Sequence, residues 1–307
     1  MDGRRLQIGV QLPEVERFVP WPELFAMARA ADQGGFDSIW VGDHLLYDMP
    51  DGGVRGPWEA YTSLAALAAV TTNVQIGSLV SSLGFHDPAM IAKMAATIDA
   101  ISGGRLTLGV GSGWNEREYR AFGLPFDHRV DRFEEAFHIV RRLLAGQTLT
   151  HHGRHYRLDE CVIDPPSPRA GGPRLMLGSN SPRMSSIALP HVHEWNVWWD
   201  IYGNTPEGFR MVVDDMRARI VSLGRDPDEV AATACVYVQL PDGKGRTMAE
   251  QRGAWVPAVR GGVDEMAHRL AAFADAGAAH LQLVVDPITV DAIEALVPVV
   301  ERVRHLV

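Results

Sequence analysis

Short apolar runs of strand length alternate along this chain with longer stretches whose apolar residues recur every three or four positions. The runs fall at 6–12, 36–41, 74–79, 105–110, 173–178, 194–199, 232–238 and 280–285. Helical periodicity follows each of them. After the third, "DPAMIAKMAATIDAIS" sets Met90, Ile91, Met94, Ile98 and Ile101 on one stripe, with Asp87 and Pro88 suited to start the helix. After the fourth come Val130, Phe133, Phe137, Val140 and Leu144, and after the eighth Val290, Ile293, Leu296, Val297 and Val300. Eight strands, each followed by a helix, predict an α/β fold of the closed (β/α)8 kind, a TIM barrel, over an open doubly wound sheet. Two stretches interrupt the repeat. Residues 147–172, after the fourth long helix, read as a hairpin and a Pro/Gly-rich connection; residues 241–262, after strand seven, read as a polar excursion. Both insertions are expected on the catalytic side or along the rim, the second as a lid. No linker divides the chain, so one domain is expected over 1–307.

Composition narrows the function classes. With 46% apolar and 22% charged residues the chain can bury a sizeable core. A net charge of −9 argues against a general nucleic-acid binder, whose affinity rests on neutralising phosphates. Nothing approaches eighteen consecutive apolar residues, and the start lacks a signal-peptide pattern, so no membrane partner and a cytoplasmic location are expected. Cys161 and Cys235 are far apart and form no CxxC, which fits a reducing compartment.

The candidate chemistry sits at strand ends. "FDSIWVGDHL" stops its apolar run at Asp43 and His44, at the carboxyl end of the second strand, the face that carries chemistry in this fold. The competing reading is a polar loop start capping the next helix. "LGVGSGWNE" ends strand four with Gly109, Gly111 and Gly113 alternating, which lets a planar ligand approach the backbone, and Trp114 offers a wall for a ring. Tight packing at a strand–loop corner explains the same glycines. The spacing is not the dinucleotide fingerprint, because the third glycine comes one residue early. In "LGSNSPR", Ser181 and Pro182 suit a helix start, and Gly178, Ser179 and Asn180, with Arg183, suit a phosphate. An ordinary capped helix is the plainer alternative. His191 and His193 have an HxH spacing but precede strand six, on the opposite face of the barrel. His151, His152 and His155 lie in the hairpin without carboxylates at ligand spacing, so no metal is expected. Trp195, Trp198 and Trp199 are expected to line or plug the barrel, the last two bordering a cofactor.

Taken in order, "GFDSIWVGDHL", "EAYTSLAALAAVTTNVQIGSLV", "DPAMIAKMAATIDAISGGRLTLGVGSGWNEREYRAFG" and "RVDRFEEAFHIVRRLL", then "GRHYRL", "GSNSPR", "HEWNVW" and "ADAGAAHLQLVV", the chain resembles the bacterial-luciferase-like oxidoreductases. It is most similar to their branch that uses the deazaflavin coenzyme F420. The resemblance covers nearly the whole chain, with 36–145 its most specific part. It implies a non-prolyl cis peptide at the end of strand three, expected at Ser78–Leu79, supporting the face of the cofactor ring. It also implies that Gly111, Gly113 and Trp114 lie beside the ring and that Gly178, Ser179 and Asn180 hold the phosphate, although the commoner "GGSG" form is absent. Trp114 stands where one deazaflavin dehydrogenase type has a glutamate, which argues against sugar-phosphate dehydrogenase activity.

The implied function is hydride transfer between C5 of the deazaflavin and a small-molecule substrate. His44 is the expected general acid/base, and Asp43 is expected to orient the ring edge or fix the His44 tautomer. The alternatives are an FMN-dependent monooxygenase supplied by a partner reductase, and a non-catalytic flavin-binding relative. A homodimer is the expected assembly.

Overall fold

The computed structural model describes residues 5–50, 52–245 and 256–307. Its frame is a closed barrel of eight parallel strands: β1 (Gln7–Gln11), β2 (Ser38–Val41), β3 (Gln75–Ser78), β4 (Leu106–Gly111), β5 (Arg174–Leu177), β6 (Glu194–Val197), β7 (Ala231–Gln239) and β8 (His280–Asp286). Each strand pairs with the next in sequence, β8 returns to β1 with Gln7 opposite His280, and β5 joins β4 with Arg174 opposite Thr107. Every expected run became a barrel strand, its ends within two residues of those read from the sequence.

The described helices are α1 (Trp21–Gln33), α2 (Ala60–Val70), α3 (Pro88–Ile101), α4 (Glu116–Phe122), α5 (Arg129–Leu144), α6 (Pro182–Ala188), α7 (Pro206–Ser222), α8 (Val263–Asp275) and α9 (Val290–Arg304). They start where the sequence supplies caps. Asp87 accepts from Ala89 N and Met90 N ahead of Pro88, and Ser181 Oγ accepts from Met184 N ahead of Pro182. The apolar stripes of α5 and α9 face the strands as expected. In α3 the stripe is shifted: Ile91, Ala92, Ala95 and Ile98 are buried, whereas Met90 and Ile101 are exposed. Alanines make up part of the inner face of α3, so the larger side chains were misleading guides to it.

The amino-terminal half of the barrel is plugged by Trp40. Its indole lies where side chains on Gly9 and Gly77 would be, a Cβ on Gly77 coming within 2.9 Å of its Cη2. Trp40 Nε1 donates to Ser38 Oγ at 2.6 Å, and Ser38 Oγ lies 2.8 Å from His280 Nε2. Asn196 is buried in the barrel, with Nδ2 donating to Thr233 Oγ1 at 2.9 Å and Gln282 Oε1 at 2.8 Å. Gln282 Oε1 is thereby satisfied, whereas Gln282 Nε2 is buried without a hydrogen-bond partner among the described residues.

The insertion at 147–172 carries the expected hairpin, Leu149–His152 against Arg157–Cys161. It packs on the outside of α5, where Glu135 Oε1 accepts from Tyr156 N at 2.9 Å and lies 2.9 Å from His151 Nε2. None of its residues lines the central cavity. Of the excursion at 241–262, residues 246–255, the centre of the expected lid, lie outside the described residues. On its return the chain pairs Val259 with Val238 beside β7.

Candidate active site

At the carboxyl ends of the strands opens a cavity of about 610 Å³. That size is usual for a small-molecule or cofactor site. Asp43, His44, Leu79, Gly111, Gly113, Trp114, Gly178 and Ser179 line it, as the sequence placed them, together with Val80, Tyr47, Glu118, Asn196, Trp198, Trp199 and Tyr237. Ser78 and Asn180 do not.

Ser78 stays in the barrel wall, fully buried, with Oγ donating to Gly109 O at 2.9 Å. The ladder continues one step further, since Leu79 N donates to Val41 O at 2.8 Å. The non-prolyl cis peptide accordingly falls at Leu79–Val80, one bond beyond the expected Ser78–Leu79. The chain then rejoins β4, with Ser81 and Ser82 opposite Val110 and Gly111. This bulge explains the glycines of strand four. Side chains at Gly109 or Gly111 would meet Val80, at 2.8 Å and 3.0 Å respectively. Gly113, at φ 72°, leaves room for the Tyr119 hydroxyl and Ser82 Oγ. The glycines thus admit the protein's own side chains, and Val80 forms the cavity wall in front of them.

The turn expected to hold a phosphate reaches the cavity only through Gly178 and Ser179. Gly178 N is committed to Val110 O at 2.9 Å, Asn180 O accepts from Arg219 Nη1 at 2.7 Å, and Arg183 pairs with Asp131 and, at 3.5 Å, with Glu134. Arg183 is therefore drawn to α5, which removes the positive charge expected at the turn. Trp195 is also corrected. It points outward, its ring 6.0 Å from Phe209 of α7, while Trp198 and Trp199 face the cavity.

Asp43 and His44 emerge from β2 into two different environments. The Asp43 carboxylate is almost fully buried, accepts from Ser82 N at 3.0 Å, and lies 3.7 Å from His86 Nε2. It does not hold His44, contrary to one expected role. That part falls to Glu118 on α4, which the sequence reading missed. His44 Nδ1 is 3.0 Å and 3.1 Å from the two Glu118 oxygens, and Glu118 Oε1 also accepts from Leu45 N at 2.5 Å. The Glu118 side chain is 0% exposed. On the other side of the ring, Nε2 is 3.9 Å from Glu14 Oε1, too long for a hydrogen bond. Tyr47 and Trp114 complete the corner, with ring centroids 4.7 Å and 5.7 Å from His44.

Electrostatics follow from these contacts. Burial pushes the His44 imidazole down, but the Glu118 hydrogen bond and the charges of Glu14, Glu118 and Asp43 outweigh it, so its pKa stands above the ordinary histidine value. His86 is likewise lowered by burial and raised by Asp43 and Glu59, with a net rise. Burial pushes the Tyr119 phenol up to about 12, and this hydroxyl stays neutral, sharing 2.7 Å with Ser82 Oγ and donating to Ser112 O at 3.1 Å. Asn115 caps α4 and donates to Leu46 O at 3.2 Å, tying the loop after β4 to the loop after β2. Among the described residues no group of three or more His, Cys, Asp or Glu is placed to hold a metal ion. His191 and His193 lie just before β6, with Leu175 N donating to His193 Nδ1 at 3.0 Å.

A closed parallel barrel whose carboxyl face opens a cavity lined by a histidine, buried carboxylates and aromatic rings has the architecture of an enzyme. The chain belongs to the luciferase-like monooxygenase family, whose model matches residues 6–283. Among its relatives is a 5,10-methylenetetrahydromethanopterin reductase of Methanolobus tindarius, 28% identical over 73% of this chain and 64% of that protein. Another is the pyrimidine monooxygenase RutA of Cronobacter sakazakii, 32% identical over 66% of this chain and 56% of that protein. The alignments thus span between half and two thirds of these relatives' own lengths. In fold, an F420-dependent secondary alcohol dehydrogenase in complex with an F420–acetone adduct superposes with a TM-score of 0.81 at 19% identity, over 97% of this chain and 99% of that one.

Proposed function

We infer that the protein is a deazaflavin-dependent oxidoreductase that moves a hydride between coenzyme F420 and a small organic substrate. The observation that carries this reading is His44: an imidazole with one nitrogen held by a buried carboxylate and the other without a hydrogen bond among the described residues, on the wall of an aromatic cavity. Hydride transfer to or from carbon needs a companion proton, and this group is built to give or take one near neutrality.

The residues present fit a flat ring. Leu79, Val80 and the backbone at Gly111–Gly113 make one wall, while Trp198, Trp199 and Tyr237 make an aromatic one. Trp199 Nε1 is buried without a hydrogen-bond partner among the described residues and is a donor to spare. Of the turn after β5, Ser179 remains to meet a phosphate, since Gly178 N is spent on Val110 O. When bound, the deazaflavin supplies the hydride chemistry at C5. His44 then exchanges a proton with the substrate, Asp43 keeps the bulge in place through Ser82 N, and the aromatic walls exclude water.

Relatives support both a deazaflavin and a flavin. An F420-dependent glucose-6-phosphate dehydrogenase of Amycolatopsis mediterranei is 35% identical over 55% of this chain and 53% of that protein. The FMN-dependent monooxygenase reading, with reduced flavin delivered by a partner reductase, draws on the similarity to an FMNH(2)-dependent dimethylsulfone monooxygenase of Pseudomonas putida, 30% identical over 70% of this chain and 59% of that protein. Titrating the apo-protein with F420 and with FMN, followed by fluorescence quenching, tests the choice. Tight F420 binding with weak FMN binding is expected; the reverse would turn the search to oxygen chemistry, and binding of neither would defeat both readings.

A further inference from the structure

A histidine works through one ring nitrogen at a time, and the partner of the other nitrogen decides which. At His44 that partner is Glu118, 74 residues away in sequence, on a helix whose cap ties it to the same loop. Glu118 has little freedom. Its side chain is fully buried, and Oε1 is fixed by Leu45 N at 2.5 Å and Leu46 N at 3.3 Å. A carboxylate offered two backbone donors and an imidazole nitrogen only accepts, so the nitrogen facing it must carry hydrogen.

We propose that Glu118 is a positioning residue that locks neutral His44 in the Nδ1–H tautomer, making Nε2 the atom that exchanges the proton with substrate. This rests on the functional reading for its consequence in turnover, but not for the tautomer itself. The groups facing the ring are Glu118 from α4, Glu14 from the loop after β1, Asp43 beside it, and the rings of Tyr47 and Trp114. The three carboxylates favour the imidazolium, and it is this form that gives the proton. In the step, the Nε2–H bond breaks, its electron pair stays on the ring, and the proton goes to the substrate oxygen or nitrogen. The Nδ1–H bond to Glu118 is kept throughout.

Glu118→Gln inverts this arrangement with little change of shape. The amide oxygen keeps Leu45 N and Leu46 N, which turns the amide NH2 toward His44 Nδ1. Nδ1 must then accept, and the neutral ring becomes Nε2–H, with no lone pair left toward the cavity. The apo-protein labelled with 15N-histidine reports this directly in long-range 1H–15N spectra recorded across the titration, with His44→Gln assigning the signals. Wild type should show the Nδ1–H tautomer above its midpoint, and that midpoint should lie above the ordinary histidine value. In Glu118→Gln the tautomer should switch and the midpoint fall. With a substrate in hand, kcat should drop about 100-fold with KM nearly unchanged. An Nε2–H tautomer in wild type would overturn the proposal even if the variant failed to fold, as would an unchanged tautomer and midpoint in the folded variant. If the spectra agree but neither F420 nor FMN binds, the functional reading fails and the tautomer lock stands.

Discussion

At the residue scale the site turns on two neighbours with opposite habits: His44 presents an imidazole to the cavity and keeps its carboxylate behind, whereas Asp43 lines the cavity with His86 behind it. Truncating His44→Ala should cost about 10²–10⁴-fold in turnover while leaving cofactor affinity within about threefold, as read by steady-state kinetics and quenching titration. A loss of binding equal to the loss of rate would instead make His44 a packing residue. His86 gives a pH prediction. Its folded pKa is raised by Asp43 and Glu59 over the opposing effect of burial, so the stability it adds is full below its unfolded pKa and disappears as pH rises through the folded value. The Tm deficit of His86→Gln should therefore be largest near pH 5.5, to take a value of about one unit below the ordinary ~6.5, and close at alkaline pH. The Asp43–His44 pair was legible because an apolar strand stopping at two polar residues marks a barrel's catalytic edge. Glu118 was not, since nothing in "NEREYRAF" signals which of its acids turns inward. That choice is made by α4's packing against the loop after β2.

At the scale of elements, continuous apolar runs of strand length between stretches of period three to four located the barrel strands closely, because each strand is buried on both sides and each helix on one. What the pattern does not encode is how elements are clamped. Arg105, at the amino-terminal edge of β4, spends all five guanidinium N–H groups: on Ser102 O at 2.7 Å, Thr71 Oγ1 at 3.0 Å, Val74 O at 2.6 Å, Ala68 O at 3.0 Å and Thr71 O at 2.9 Å. It thereby satisfies the carbonyls where α2 ends and links them to the turn after α3. A lysine carries three donors on a point charge and cannot reproduce that fork. Arg105→Lys is expected to cost about 1–3 kcal/mol in chemical denaturation, through carbonyls left without partners, with cofactor titration unchanged. The clamp lies on the face of the barrel that bears stability, away from the cavity.

For the whole molecule, the count of eight β–α units was enough to name the barrel, but the shape of its cavity comes from contacts between strands far apart in sequence. Val80 is the meeting point: it lies after β3 and fills the space that Cβ atoms on Gly109, Gly111 and Gly178 would need. Gly178 also closes the β4–β5 seam through its bond to Val110 O. A methyl group at Gly178 would stand 2.5 Å and 2.7 Å from the two Val80 methyls. Either Val80 is pushed toward the cavity or the seam opens, so Gly178→Ala should lower stability by about 1–3 kcal/mol and weaken cofactor binding. The two causes separate in a double-mutant cycle. If the clash is with Val80, then Val80→Ala combined with Gly178→Ala recovers stability beyond the sum of the single effects, because the second change removes the atoms the first one meets. Strict additivity would mean that the glycine is needed by the seam alone. Gly262, which has no atom within 4 Å of an added Cβ, is the control for binding: Gly262→Ala should leave cofactor affinity nearly unchanged and cost only about 1 kcal/mol, through the poorer N-cap it gives α8.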